Sequence, residues 1–169
     1  MVVRPRPGDQ RQGLLVVGNR VLRCALGKGG IRSIKREGDG ATPLGSMRLL
    51  SAFVRRDHPR RLVSRLALDP FRPGDGWCDA AGDRNYNRPV PLPYPASAER
   101  MRRDDHLYDV VIVLDANIRP RRRGMGSAIF FHLARPGYAP TEGCVAIHPR
   151  DMQWLLPRLS SRTVMTVTR

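Results

Sequence analysis

The sequence predicts a single, mostly β domain with one or two short helices, and three observations carry that prediction. Short apolar or alternating runs recur between Gly, Pro and Asn punctuation, as strands do. Two of these runs flank the dipeptide Gly18-Asn19, a hairpin signal. Only residues 149–159 form a convincing helix, with an apolar stripe along one side. At 169 residues, 41% of them hydrophobic, the chain can bury one sizeable core and is too short to divide comfortably into two.

Taken in order, the first dozen residues are rich in Arg, Pro and Gly and are expected to be loose, so the domain is placed at 13–169. Residues 13–17 and 20–26 are the hairpin strands, and the alternation around Cys24 assigns that thiol to the core. Further strands are predicted at 46–53, 62–68, 108–114, 126–132, 144–147 and 163–168, with Asp115-Ala116-Asn117 as a hairpin connection. Residues 69–96 are too polar for a core and too rich in proline for disorder, and so read as a long ordered loop of the kind that walls a binding site. A short helix is predicted from Ser97 to about Arg103. In the main helix Pro149 suits the first turn and Asp151 its positive end. Met152, Leu155, Leu156 and Leu159 form the stripe, and Pro157 shortens or bends it.

The stretch Phe130 to Ile147 carries the chemistry. It sets His132 near the end of an apolar strand and Cys144 beyond a turn-rich loop that doubles back. A thiol becomes a good nucleophile where an imidazole favours its thiolate. Gly143 removes a side chain beside the sulfur, so a carbonyl and backbone N–H groups can approach closely. The pattern suits acyl transfer. The residues alone leave a plainer alternative open, because an unpaired cysteine is most often a small buried hydrophobe and such a histidine is often a satisfied core residue.

His132, a loop, then Thr141-Glu142-Gly143-Cys144-Val145 resembles the active-site signature of the L,D-transpeptidases, the YkuD-type catalytic domain of peptidoglycan cross-linking enzymes. About a hundred residues upstream, Thr42-Pro43-Leu44-Gly45 resembles the stretch that precedes a core strand in that family. By itself it could be a loop entering a strand, since Pro43 fixes φ and Gly45 frees a turn. The resemblance spans most of the chain. It implies a YkuD-like β-sandwich or barrel, Cys144 as thioester-forming nucleophile, His132 as its base, and backbone N–H groups around Gly143 and Cys144 as the oxyanion site. It also implies peptidoglycan stem peptides as substrates, 3,3 or 1,3 cross-links as products, no cofactor, and a place in the periplasm or cell envelope. An L,D-carboxypeptidase or other thiol amidase, and a non-catalytic basic binding module, are the alternatives.

The chain also departs from the family pattern. Eleven residues separate His132 from Cys144, fewer than is usual, Glu142 stands where many members carry His, and Ala146 where they carry Arg or Asn. These departures imply a divergent subfamily with altered substrate orientation. For substrate binding, Trp77 and Tyr86 are expected to pack on a stem while Arg84 pairs with one of its carboxylates, with Asn87 in the same segment. The other reading of that segment is a loop stapled over the barrel by its aromatics. His106 and Tyr108 are expected beside the site, with His106 a candidate to orient His132 or bind substrate and a surface cap as its other reading, and Thr141 and Glu142 flank the thiol.

Composition limits the partners. Cys24, Cys78 and Cys144 cannot form a disulfide framework, and no Cys/His spacing suits a metal, so no metal is expected; Cys78 sits in a polar loop where a buried thiol is the favoured reading. No apolar run approaches the length of a membrane span, and the N-terminus lacks the pattern of a secretory signal. The net charge is +15, from thirty basic residues of which only Lys28 and Lys35 are lysines. That balance raises nucleic acid as a rival partner. Against it, aromatics make up 6% of residues and are not interleaved with the basic runs at 55–56, 60–61, 102–103 and 121–123. Those runs are expected in turns away from the thiol, no specific nucleic acid is expected, and the chain is expected to be a monomer.

Overall fold

The computed structural model describes residues 1–55 and 62–169. In chain order the strands are β1 (Val2–Arg6), β2 (Asp9–Val17), β3 (Arg20–Ala25), β4 (Ile31–Arg32), β5 (Thr42–Pro43), β6 (Gly45–Val54), β7 (Leu68–Pro70), β8 (Asp75–Cys78), β9 (Arg88–Pro91), β10 (Ala98–Arg100), β11 (Val110–Leu114), β12 (Phe130–Leu133), β13 (Val145–Ile147) and β14 (Val164–Val167). The helix α1 (Pro149–Leu155) lies between β13 and β14. The main sheet runs β11-β12-β13-β3-β2-β1-β14-β6-β7, and β6 also pairs with β11, so the sheet closes into a barrel. A smaller sheet, β10-β8-β9, packs outside it, and β4 pairs with β5.

The strand period of two decides which side chains fill the barrel and which face the small sheet. Phe131, Leu133, Val145 and Ile147 join Leu15, Leu49, Ile112 and Leu114 in the core, with Met152, Leu155, Leu156 and Leu159 capping it. The alternate residues Val111, Val113, Phe130 and Cys144 pack instead with Trp77, Met101 and Tyr108 under the small sheet. In the parallel pairing of β12 with β13, Phe131 lies opposite Val145 and His132 opposite Ala146. His132 and Cys144 therefore sit on the outward face, in the seam between barrel and small sheet.

The hairpin at Gly18-Asn19 forms as expected, with Val17 opposite Arg20. Helix α1 starts at Pro149 with Asp151 in its first turn, and a 3-10 turn containing Pro157 ends it. His148 caps it, its ring nitrogen accepting from Arg150 N at 3.2 Å. Cys24 is buried in the core, and Cys78 is buried in β8.

Five expectations need correction. The first dozen residues are ordered: β1 pairs with β2 on one side and with β14 on the other, because Val3 reaches the core. The segment 69–96 is no irregular loop but carries β8 and β9, which bury Trp77, Cys78 and Val90. The helix expected at 97–103 is β10, drawn into strand by pairing with β8. The strand expected at 62–68 reduces to an isolated bridge at Arg65 and the short β7. The β11–β12 connection is the long loop 115–129, not a tight turn at Asp115. The basic positions Arg56, Arg60 and Arg61 lie outside the described residues.

Candidate active site

A cleft of 370 Å³ opens at the seam, with His132 and Cys144 both in its wall. The Cys144 thiol lies between two groups of the preceding strand segment: its Sγ accepts from Phe130 N at 3.3 Å and donates to Ala128 O at 3.2 Å. His132 Nδ1 lies 2.9 Å from Leu133 O. A carbonyl only accepts, so Nδ1 carries the proton and Nε2 keeps its lone pair for a proton from elsewhere.

Both groups are electrically neutral at rest. Burial holds the His132 imidazole down to a pKa of about 4, and burial, reinforced by the charge of Glu99, pushes the Cys144 thiol up to about 12. At rest the site therefore holds a protonated thiol and a neutral imidazole, both buried.

Gly143 has φ of 132°, and a Cβ there would come within 2.8 Å of Ala41 O. Its glycine is needed because the loop before β5 crosses close beside the thiol segment, a physical reason beyond the open approach inferred from sequence. Thr141 fixes the same segment: its Oγ1 donates to Cys144 O at 2.7 Å and accepts from Gly143 N at 3.2 Å. Thr141 itself is laced to β3's continuation, its N–H donating to Leu26 O and its carbonyl accepting from Lys28 N. Gly27 N between them donates to the buried Thr42 Oγ1 at 2.8 Å. The upstream Thr-Pro-x-Gly stretch thus braces the thiol loop through two hydrogen-bonded strands of chain.

Tyr108 is brought to the site. Its ring meets the His132 ring edge-on with centroids 5.1 Å apart, and its hydroxyl donates to Glu99 at 2.6 Å. Glu142 lines the cleft with an exposed carboxylate paired to Lys28. His106 is not at the site: it is exposed, with Nδ1 at 3.1 Å from Asp109, and the group that orients His132 is the Leu133 carbonyl.

The substrate-binding expectations for Trp77, Arg84, Tyr86 and Asn87 do not match their placement. None of the four lines the cleft, and Arg84 is exposed elsewhere. Trp77 and Tyr86 are buried, Trp77 meeting Phe130 edge-on at 5.1 Å, and Tyr86 donates its hydroxyl to Glu37. Asn87 is buried at a positive φ of 55° and acts as a tie. Its Oδ1 accepts from Trp77 Nε1 at 2.9 Å and Ala128 N at 3.1 Å, while its Nδ2 donates to Asn117 O at 2.8 Å. It thereby holds Ala128, whose carbonyl accepts the hydrogen bond of the Cys144 thiol. This is the stapled-loop reading of the segment.

Sequence reasoning missed Glu37, Asp79, Glu99, Ser127 and Arg103, all in the cleft wall. Arg103 also corrects the expectation that the basic runs lie away from the thiol, since it stacks over the Tyr108 ring at 5.2 Å and ion-pairs with Asp105 at 2.6 Å. Glu99 reaches the cleft only because β10 pairs with β8, and no local pattern marks it. Among the described residues no cluster of His, Cys, Asp and Glu has the arrangement of a metal site, and no helix is long and apolar enough to cross a membrane.

The barrel thus sets the thiol and the imidazole in the wall of one cleft. Residues 7–167 match the family YkuD, the L,D-transpeptidase catalytic domain, and the chain belongs to that family. Comparison with curated proteins and with solved structures found no match.

Proposed function

We propose that the protein is a peptidoglycan L,D-transpeptidase of the cell envelope, acting through a thioester on Cys144. The observation that carries the proposal is the joint placement of the thiol and of an imidazole whose Nδ1–H is held by Leu133 O, in one cleft. In the reaction, a stem peptide enters and excludes the remaining water, and His132 Nε2 takes the Cys144 proton as sulfur attacks the carbonyl carbon. The neutral resting pair makes this a proton transfer concurrent with attack. The Gly143 N–H is already engaged by Thr141 Oγ1, so the Cys144 N–H is assigned as the donor to the oxyanion. His132 then gives its proton to the departing amine, and an amine from a second stem resolves the thioester to an amide. Arg135 at the rim and Arg103 in the wall supply cations for stem carboxylates.

Incubation with a disaccharide-tetrapeptide, read by mass spectrometry, tests the proposal. Dimers support cross-linking, fragmentation separates 3,3 from 1,3 links, trimmed monomers would indicate a carboxypeptidase, and unchanged substrate would sink the enzymatic reading. Cys144→Ala is expected to abolish turnover with the fold kept, whereas Cys24→Ala and Cys78→Ala keep it. Cross-linking by Cys144→Ala near the wild-type level would falsify the nucleophile assignment.

A further inference from the structure

The charge of the cleft runs against the charge of the chain. Basic residues outnumber acidic ones thirty to fifteen in the sequence, yet the cleft wall holds Glu37, Asp79, Glu99 and Glu142 against Arg103 and Arg135. Glu142 is exposed and paired with Lys28, so the acidic excess rests on the other three.

Two of these are fixed by the small sheet. Glu99 lies directly opposite Trp77 in the β8–β10 pairing. Asp79 directly follows β8, its N–H donates to Ser97 O at 3.2 Å to extend the pairing, and both carboxylates line the cleft. Glu99 accepts from Tyr108 OH at 2.6 Å, with Arg103 Nη1 at 3.8 Å. Burial raises the pKa of Glu99, and the neighbouring Asp79 charge adds to the rise. Asp79 Oδ1 is buried without a hydrogen-bond partner among the described residues. Ser127, 7% exposed, lines the same cleft with its Oγ equally unpartnered among the described residues. Unmet buried polar atoms beside a reacting thiol call for a ligand that brings donors and positive charge. A primary ammonium brings three N–H donors and one charge.

We propose that Glu99 and Asp79 form the subsite for the amine of the acyl acceptor, holding its ammonium opposite the Cys144 thioester, and that Glu99 removes one proton so that a neutral amine attacks. The inference rests on the thioester reading above. The ammonium enters as R–NH3⁺ and passes one proton to the Glu99 carboxylate. The neutral amine forms its C–N bond at the thioester carbonyl while the C–S bond breaks. The second nitrogen proton passes through His132 to the departing sulfur, restoring the thiol, and Glu99 returns its proton to water after product leaves. A neutral Glu99 at that moment also favours sulfur as a leaving anion, because the negative charge that opposes the thiolate is gone. Water carries no charge for the subsite to hold, so the acidic wall selects aminolysis over hydrolysis.

The test partitions the acyl-enzyme. Wild type, Glu99→Gln and Asp79→Asn are given a stem tetrapeptide donor with increasing Nα-acetyl-lysine as amine, and intact-protein and product masses are recorded from pH 6 to 9. The expected result is a ratio of amide to hydrolysed product that falls at least tenfold in Glu99→Gln and several-fold in Asp79→Asn, with more amine needed for half-maximal aminolysis. Glu99→Asp should recover part of the ratio. Ratios within twofold of wild type in both Glu99→Gln and Asp79→Asn, with the Cys144 adduct still seen, would overturn the subsite and leave the thioester intact. Absence of any adduct in the wild type would overturn the thioester reading and the subsite with it. The isosteric Asp79→Asn keeps the test decisive if Glu99→Gln folds poorly.

Discussion

At the residue scale, Cys144 is a buried thiol held in its protonated form. With its pKa pushed up to about 12 by burial, first of all, and by Glu99, only a small fraction is thiolate at neutral pH, and iodoacetamide gains little from the neighbouring imidazole. Alkylation of Cys144 in the resting protein is therefore expected to be at least tenfold slower than that of a free cysteine at pH 7 and to climb steadily to pH 9, followed by peptide mapping. A fast, pH-independent reaction would show that an ion pair exists after all. Gly143 gives a second expectation. Gly143→Ala must place a Cβ 2.8 Å from Ala41 O at a φ that L residues rarely adopt. The variant should lose about 1–3 kcal/mol in urea unfolding and most of its turnover.

At the element scale, the thiol loop owes its shape to segments far away in sequence. Thr42, fully buried, accepts from Gly27 N, and Gly27 sits between the two residues that hold Thr141. Thr42→Val keeps volume but strands a buried N–H, so unfolding free energy should drop by about 1–3 kcal/mol. If the brace acts on the site, kcat should fall while the donor KM stays near wild type. A variant with wild-type stability and turnover would remove the brace. The same element marks how far the sequence could be read. The Thr-Pro-x-Gly stretch and the His/Gly-Cys pair were legible because each is a local pattern with a physical role. Trp77, Tyr86 and Asn87 misled because aromatics and amides in a Pro-rich segment look alike whether they face a ligand or close a core. Tertiary pairing alone distinguishes them: the β8–β10 register for Trp77, and the ties of Tyr86 to Glu37 and of Asn87 to Asn117 and Ala128 for the other two, and the same register brings Glu99 to the cleft. The N-terminal strand was missed for a related reason: Arg, Pro and Gly lower local strand preference, and tertiary pairing with β2 and β14 overrides it.

At the scale of the whole molecule, the neutral pair couples the site to stability. The fold lowers the His132 pKa from 6.5 to about 4, so its contribution is complete above pH 6.5 and is lost as pH falls towards 4. The fold raises the Cys144 pKa from 9.0 to about 12, so that contribution is complete below pH 9 and is lost as pH rises towards 12. Urea titrations of wild type and His132→Asn should therefore differ by an amount that is constant from pH 6.5 to 8.5 and shifts against the wild type below pH 6. A difference that stays constant down to pH 4.5 would mean that the imidazole is not held neutral. Charge acts at this scale too: the +15 surface should bind nucleic acid weakly and without sequence preference, and Arg121→Ala with Arg122→Ala and Arg123→Ala should weaken that binding further while cross-linking continues. Nanomolar affinity that survives high salt in fluorescence anisotropy would favour the nucleic-acid module instead.

Besides the β6–β11 pairing, closing the barrel takes β1 against β14, partners separated by most of the sequence, as Val2 opposite Thr166 illustrates. Until β14 docks, β1 and β6 each present an unpaired edge, and closure must gather nearly the whole chain into one loop. Such long-range pairing predicts slow folding with a sticky open intermediate. Because β14 follows all the other strands, a ribosome-bound chain that has exposed everything as far as α1 still lacks the staple that hides both edges. Chaperone demand during synthesis should therefore end abruptly once β14 is free to pair.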